Sequence, residues 1–193
     1  MIDKGRLMAI TDGIVAIAAT IMVLQLVVPE KFDMKAVYEQ LPTMIAYIIS
    51  FVQVFLAWHE HHDSFVYAEK INHRIFLLNC LWLFFVTLLP FATRVIGNSH
   101  GHTPSVLLYI GVLIMVQLTI TIESRSIRKL NKTPILDEEI IKKIRMISIA
   151  GYLISALFAF FKPFIALLMI LLLTVIEIIL ICLYDRKIAK YID

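Results

Sequence analysis

The sequence predicts an all-α integral membrane protein: six transmembrane helices in a single domain spanning residues 1–193. Three observations predict it. Of the residues, 60% are hydrophobic and the mean hydropathy is +0.86, well above the roughly 45–50% apolar share of a soluble domain. The apolar residues fall in continuous runs, without the alternation that marks strands. The runs are long enough to cross a bilayer, which takes about 20 residues of helix.

The runs lie at roughly 8–28, 42–60, 75–96, 105–124, 144–161 and 163–184. Pro29 closes the first, which is too long for the apolar part of a cleavable leader and is expected to remain as a span. The second begins at Pro42 and ends in a histidine-rich stretch. Pro90 lies inside the third, where the missing N–H predicts a kink or a break. Pro104 and Pro163 suit the first turns of the fourth and sixth helices. Residues 125–145 carry seven basic residues together with Asp137, Glu138 and Glu139, and read as a solvated linker touching lipid headgroups, with a short helix starting at the acidic trio. Cys80 and Cys182 both lie within apolar runs, so no disulfide is expected.

Charge gives the orientation. With the N-terminus inside, 14 of the 18 lysines and arginines fall on the inner side; only Lys31, Lys35, Arg94 and Lys162 fall outside. The positive-inside rule then places both termini in the cytoplasm of a multi-pass protein of the cell membrane. The net charge of +3 is modest and the bases sit between spans, so no nucleic-acid partner is expected. No nucleophile–base pair, phosphate-cradling glycine loop or nucleotide motif is present, and neither enzyme activity nor a cofactor is expected.

Polar groups inside the runs are the candidate functional residues. His59-Glu60-His61-His62-Asp63 invites a metal reading, but Asp63 stands where a zinc-binding His-Glu-x-x-His would need its second histidine, and a polar helix end is the better account. Glu177, near the middle of the sixth run, is the costliest of the buried polar candidates and predicts an interhelical hydrogen bond or an ion path. His100-Gly101-His102 reads as a surface turn.

The first run is the most unusual, because Arg6 and Asp12 open it. On a helical wheel Gly13, Ile17, Ile21, Leu24 and Val28 share one apolar stripe with Thr20 at its edge. Arg6 and Asp12 lie about 240° apart around the helix and are no same-helix ion pair. Ala9, Gly13, Ala16, Ala18 and Ala19 permit close helix approach.

This segment resembles the signature of the transmembrane protein 175 potassium channels, found in endolysosomes and many prokaryotes. That signature is Arg-x-x-x-Phe-Ser-Asp followed by Ala-Ile-x-x-Thr and a leucine, matched by Arg6, Asp12, Ala16, Ile17, Thr20 and Leu24. Ile10 and Thr11 depart from its Phe and Ser; threonine keeps the hydroxyl and isoleucine loses the ring. Trp58 and His61 match the family's Trp-x-x-His, and Asn79 its asparagine early in the third helix. The eukaryotic members resemble two such units fused; this chain carries one.

The resemblance implies a homotetramer whose first helices line one central pore, with potassium and other monovalent cations as the permeating ions in a lipid bilayer. It implies a hydrophobic constriction at Ile17 and Leu24 with a hydroxyl ring at Thr20, on the stripe that includes Val28, and no carbonyl-lined filter. It also implies a structural polar cluster of Arg6, Thr11, Asp12, His61 and Asn79 joining helices one, two and three. The alternatives are an ion-coupled transporter or proton/cation exchanger using Glu177 and the histidines, which no internal inverted repeat supports, and a non-conducting accessory protein.

Overall fold

The computed structural model describes residues 3–26, 33–66, 68–131 and 138–192, with side chains described from residue 143 to 183 in the last stretch. It has six helices and, among the described residues, no strand: α1 (Lys4–Val23), α2 (Met34–Val66), α3 (His73–Asn98), α4 (Thr103–Asn131), α5 (Glu138–Ala159) and α6 (Pro163–Ile192). Five of them, α1 to α4 and α6, are long and apolar enough among the described residues to cross a membrane. The N-terminal part of α5 carries Glu138, Glu139, Lys142, Lys143 and Arg145.

Local chemistry moves several boundaries. Asp3 is the N-cap of α1 and accepts from the Arg6 backbone N–H at 2.7 Å, so the helix starts at Lys4 rather than near Met8. Its regular turns end at Val23, with Leu24 hydrogen-bonded back to Ile21, five residues short of the expected end. Val28 lies outside the described residues. Both α2 and α3 run through their prolines, Pro42 and Pro90. Pro90 therefore does not end α3, which continues to Asn98.

The α3–α4 turn is a helix C-cap motif. Gly101 N–H donates to Ile96 O at 2.9 Å and His100 N–H to Gly97 O at 3.2 Å, with His100 at φ 50° and Gly101 at φ 71°. A side chain at Gly101 would also press on Pro42, 3.0 Å from its Cβ. Both histidines of this turn are exposed.

Helices α3 and α4 pack together at the centre; α5 covers α4 and α6, and α2 packs against α1, α3, α4 and α6. Among the described residues, helix α1 packs on α2 and α3 alone, at one side of the bundle. The main core gathers Met22, Ile49, Trp82, Leu89, Tyr109 and Ile120, all fully buried. A second cluster of Leu7, Phe65, Ala68, Ile71, Ile75 and Ile127 sits where α2 gives way to α3. There Lys4 Nζ donates to Val66 O (3.0 Å) and Ala68 O (2.9 Å), at the electronegative end of α2. Asn131 accepts from the Glu69 and Lys70 N–H groups at 2.9 and 2.8 Å, tying this connector to the end of α4.

Candidate functional site

The inward face of α1 carries Leu7, Thr11, Val15, Ala18, Ala19 and Met22, at the three- and four-residue spacing of a packed helix. The opposite face carries Ile10, Ile17, Ile21 and Leu24, which are 59%, 59%, 41% and 75% exposed, with Gly13 and Thr20 between them. Apart from its chain neighbours and its own helix backbone, no atom of the described residues lies within 4 Å of where a Gly13 Cβ would stand. The structure thus places Ile17, Thr20 and Leu24 on one outward face. Thr20 Oγ1 donates to Ile17 O at 2.9 Å, which leaves its lone pairs turned outward.

The residues expected to tie the first three helices separate into two groups. Thr11, Asn79 and His61 meet in the interior: Thr11 Oγ1 donates to Asn79 Oδ1 at 3.2 Å, and Asn79 Nδ2 lies 2.8 Å from His61 Nε2. All three are buried. Asp12 is exposed instead and accepts from Trp58 Nε1 at 2.8 Å, so it is satisfied from α2 without entering that chain. Arg6 is exposed on α1, and among the described residues its guanidinium joins neither group.

Two further polar layers cross the bundle. Glu177 is 5% exposed and accepts from Gln53 Nε2; Gln53 also receives Gln117 Nε2 on its Oε1 at 3.1 Å and reaches Thr174 at 3.2 Å. Glu177 is thus bound across helices, its partner being Gln53. Nearer the α2–α3 connector, Arg145 Nη2 is paired with Glu60 Oε1, which also accepts from Ser124 Oγ at 3.0 Å. Glu123, on α4, is fully buried with Oε1 3.9 Å from His61 Nε2. Glu60, Arg145 and Glu123 were not expected from the sequence as partners. Only Glu123 left a signal, standing in the Val116, Ile120, Ile127 series of buried α4 positions. No metal-holding group of His, Cys, Asp or Glu forms among the described residues.

These features define a multi-pass integral membrane protein whose interior is cross-linked by polar layers and whose first helix leaves one face unpacked. The sequence model of the endosomal/lysosomal potassium channel TMEM175 matches residues 6–90. A potassium channel of Chryseobacterium sp. (strain P1-3) is 40% identical over 166 residues, covering 85% of this chain and 86% of that protein. The chain belongs to the TMEM175 family.

Other relatives share less of their length. A potassium channel of Streptomyces collinus is 27% identical, with 64% of this chain and 63% of that protein covered. The chicken endosomal/lysosomal proton channel TMEM175 is 37% identical over 121 residues, 54% of this chain but only 24% of that protein. The crystal structure of a TMEM175 homologue from Chamaesiphon minutus, described as a lysosomal potassium-selective channel, superposes with a TM-score of 0.75. That superposition covers 91% of this chain and 96% of the other at 22% identity, and establishes the shared fold.

Proposed function

We propose that the protein is a potassium-permeable cation channel of the cell membrane, a homotetramer in which four α1 helices line a central pore. The observation that carries this reading is the outward face of α1: Ile17 and Leu24 with Thr20 between them, unpacked by the rest of the chain. Cyclic symmetry would gather four copies of this one face on an axis. The names of the two bacterial relatives support the same reading, since they are called potassium channels, whereas the chicken relative is called a proton channel.

In this arrangement four Ile17 side chains form a narrow apolar ring. Water leaves such a ring readily, and an ion crossing it must give up hydration, so the ring closes the pore without a plug. The Thr20 oxygens lie one turn further along and replace part of the water shell of a passing ion. The polar chain Thr11–Asn79–His61 and the Asp12–Trp58 bond hold the rotation of α1, and with it the direction in which Ile17 points. An exchanger would need Glu177 open to water, and its 5% exposure and bond to Gln53 suit an interhelical tie.

Recording from purified protein in planar bilayers tests the reading. Unitary currents carried by potassium are the expected result; slow saturable flux without unitary steps would mean a transporter, and neither would mean an accessory protein. Orientation is tested separately, in a background lacking Cys80 and Cys182. Single cysteines at Lys35 and His100 should react with an impermeant thiol reagent from outside, and one at Glu69 only after permeabilisation. The reverse pattern would invert the topology.

A further inference from the structure

We propose that His61 and Glu123 form a buried proton-binding site, and that its occupancy sets the direction of the hydrogen-bond chain that ends at Thr11 on α1. His61 lies between two aromatic faces, Phe65 with ring centroids 4.3 Å apart and Trp82 at 4.9 Å, both stacked. A cation between two such faces is attracted by their quadrupoles. On the third side Glu123 is 0% exposed, and neither of its carboxyl oxygens has a well-formed hydrogen bond among the described residues, although the Asn79 amide acts on it from α3. A carboxyl group buried in that way is costly to ionise unless a cation or a proton meets it. Its Oε1, 3.9 Å from His61 Nε2, is placed to receive an imidazolium.

Two carboxylates face the ring, Asp12 from α1 and Glu123 from α4, while His62, its neighbour on α2, opposes a second positive charge there. Glu60 of α2 is already neutralised by Arg145 of α5, and from α3 the uncharged Asn79 and Trp82 face the ring. Glu60 keeps 24% of its side chain in solvent, so the site lies one layer from water.

Proton binding changes what the chain can do. An amide Nδ2 is always a donor, so Asn79 donating to His61 Nε2 requires a neutral ring with that nitrogen bare. A proton taken from water onto Nε2 makes it a donor facing a donor. Turning the Asn79 amide over restores the chain: Nε2–H donates to Oδ1, and Nδ2 donates to Thr11 Oγ1. The Thr11 hydroxyl proton is then released to its own helix, where the carbonyl of Leu7 is four residues back. Back-bonding of a threonine to that carbonyl bends helices. One proton is gained, one positive charge appears beside Glu123, and two discrete arrangements of α1 result. The link to conduction rests on the channel reading above; the proton site does not.

Trp82 is the reporter, because an imidazolium in contact with an indole quenches its fluorescence. The chain has two tryptophans, so Trp58→Phe leaves Trp82 alone. Its emission should fall in one step on acidification. His61→Gln should abolish the step, and Glu123→Gln should move it by about one pH unit or more toward acid. Nitrogen NMR of histidine-labelled wild-type protein follows the same event without a core substitution. A flat emission profile with unchanging imidazole signals, or a step indifferent to Glu123→Gln, would overturn the site. In bilayers Thr11→Val should keep the emission step and lose the pH dependence of open probability. If its currents follow pH as in wild type, the relay to α1 is wrong. A wild-type protein that shows the emission step but carries no unitary current refutes the channel and supports the proton site.

Discussion

Ile17→Asn should raise the open probability or conductance of the channel by about tenfold, a change equivalent to about 1.4 kcal/mol of gating free energy. Ile17 is 59% exposed on the free face of α1, so the substitution disturbs little of the subunit's own core. In the proposed tetramer it exchanges an apolar ring for one that holds water, and a wetted constriction no longer excludes ions. Thr20→Val on the same face should weaken the preference for potassium over sodium while leaving assembly intact. Bilayer recordings check both. Ile17→Asn currents equal to wild type in conductance, open probability and ion preference would remove the gate from α1.

Breaking the Glu60–Arg145 pair should cost the folded subunit on the order of 3 kcal/mol, because the charge left behind is largely buried. The two side chains are 24% and 9% exposed, and the pair joins α2 to α5 with Ser124 of α4 completing the shell. Glu60→Gln leaves the Arg145 guanidinium without its counter-charge, and Arg145→Met strands the carboxylate. Thermal unfolding of the purified protein in detergent should show a large loss for each. The double substitution Glu60→Met with Arg145→Met should recover most of it, since an apolar pair of similar volume strands no charge. Equal stability of the three variants and wild type would mean the pair contributes nothing to the bundle.

Much of the fold was legible because lipid imposes a simple rule: a spanning segment must be apolar and about 20 residues long. Helices α3 and α6 begin within two residues of where the apolar runs begin. Hydropathy could not see the polar extensions, so α2 starts at Met34 rather than Pro42 and α4 continues to Asn131. Asp3 shifted the start of α1 through a cap, which is a hydrogen bond and not a hydropathy signal. At the candidate site the spacing of Ile17, Thr20 and Leu24 announced one face, and the structure leaves that face exposed. The pairing of polar groups was less legible. Asp12 faces Trp58 rather than His61 and Asn79 because which side chains meet depends on the rotation of α1 against α2, and no single sequence encodes that as a pattern. Glu60 read as part of a polar helix end, and only the structure shows Arg145 of α5 paired with it.

The ties of α1 are distributed unevenly along its length. Among the described residues, its hydrogen bonds to other helices and connectors come from Lys4, Thr11 and Asp12, all in the first half. Beyond them Val15, Ala18, Ala19 and Met22 hold it by apolar packing alone. Directional bonds resist sliding and turning; small apolar contacts yield to both. The helix is therefore a lever clamped at one end. With a rise of 1.5 Å per residue, Ile17 stands about 8 Å beyond Asp12, the last of the ties, and Leu24 about 18 Å. A bend of about 5° just past the clamp carries the first about 0.7 Å and the second about 1.6 Å, so in the proposed pore the Leu24 end would move most while every bond at the clamp stays made.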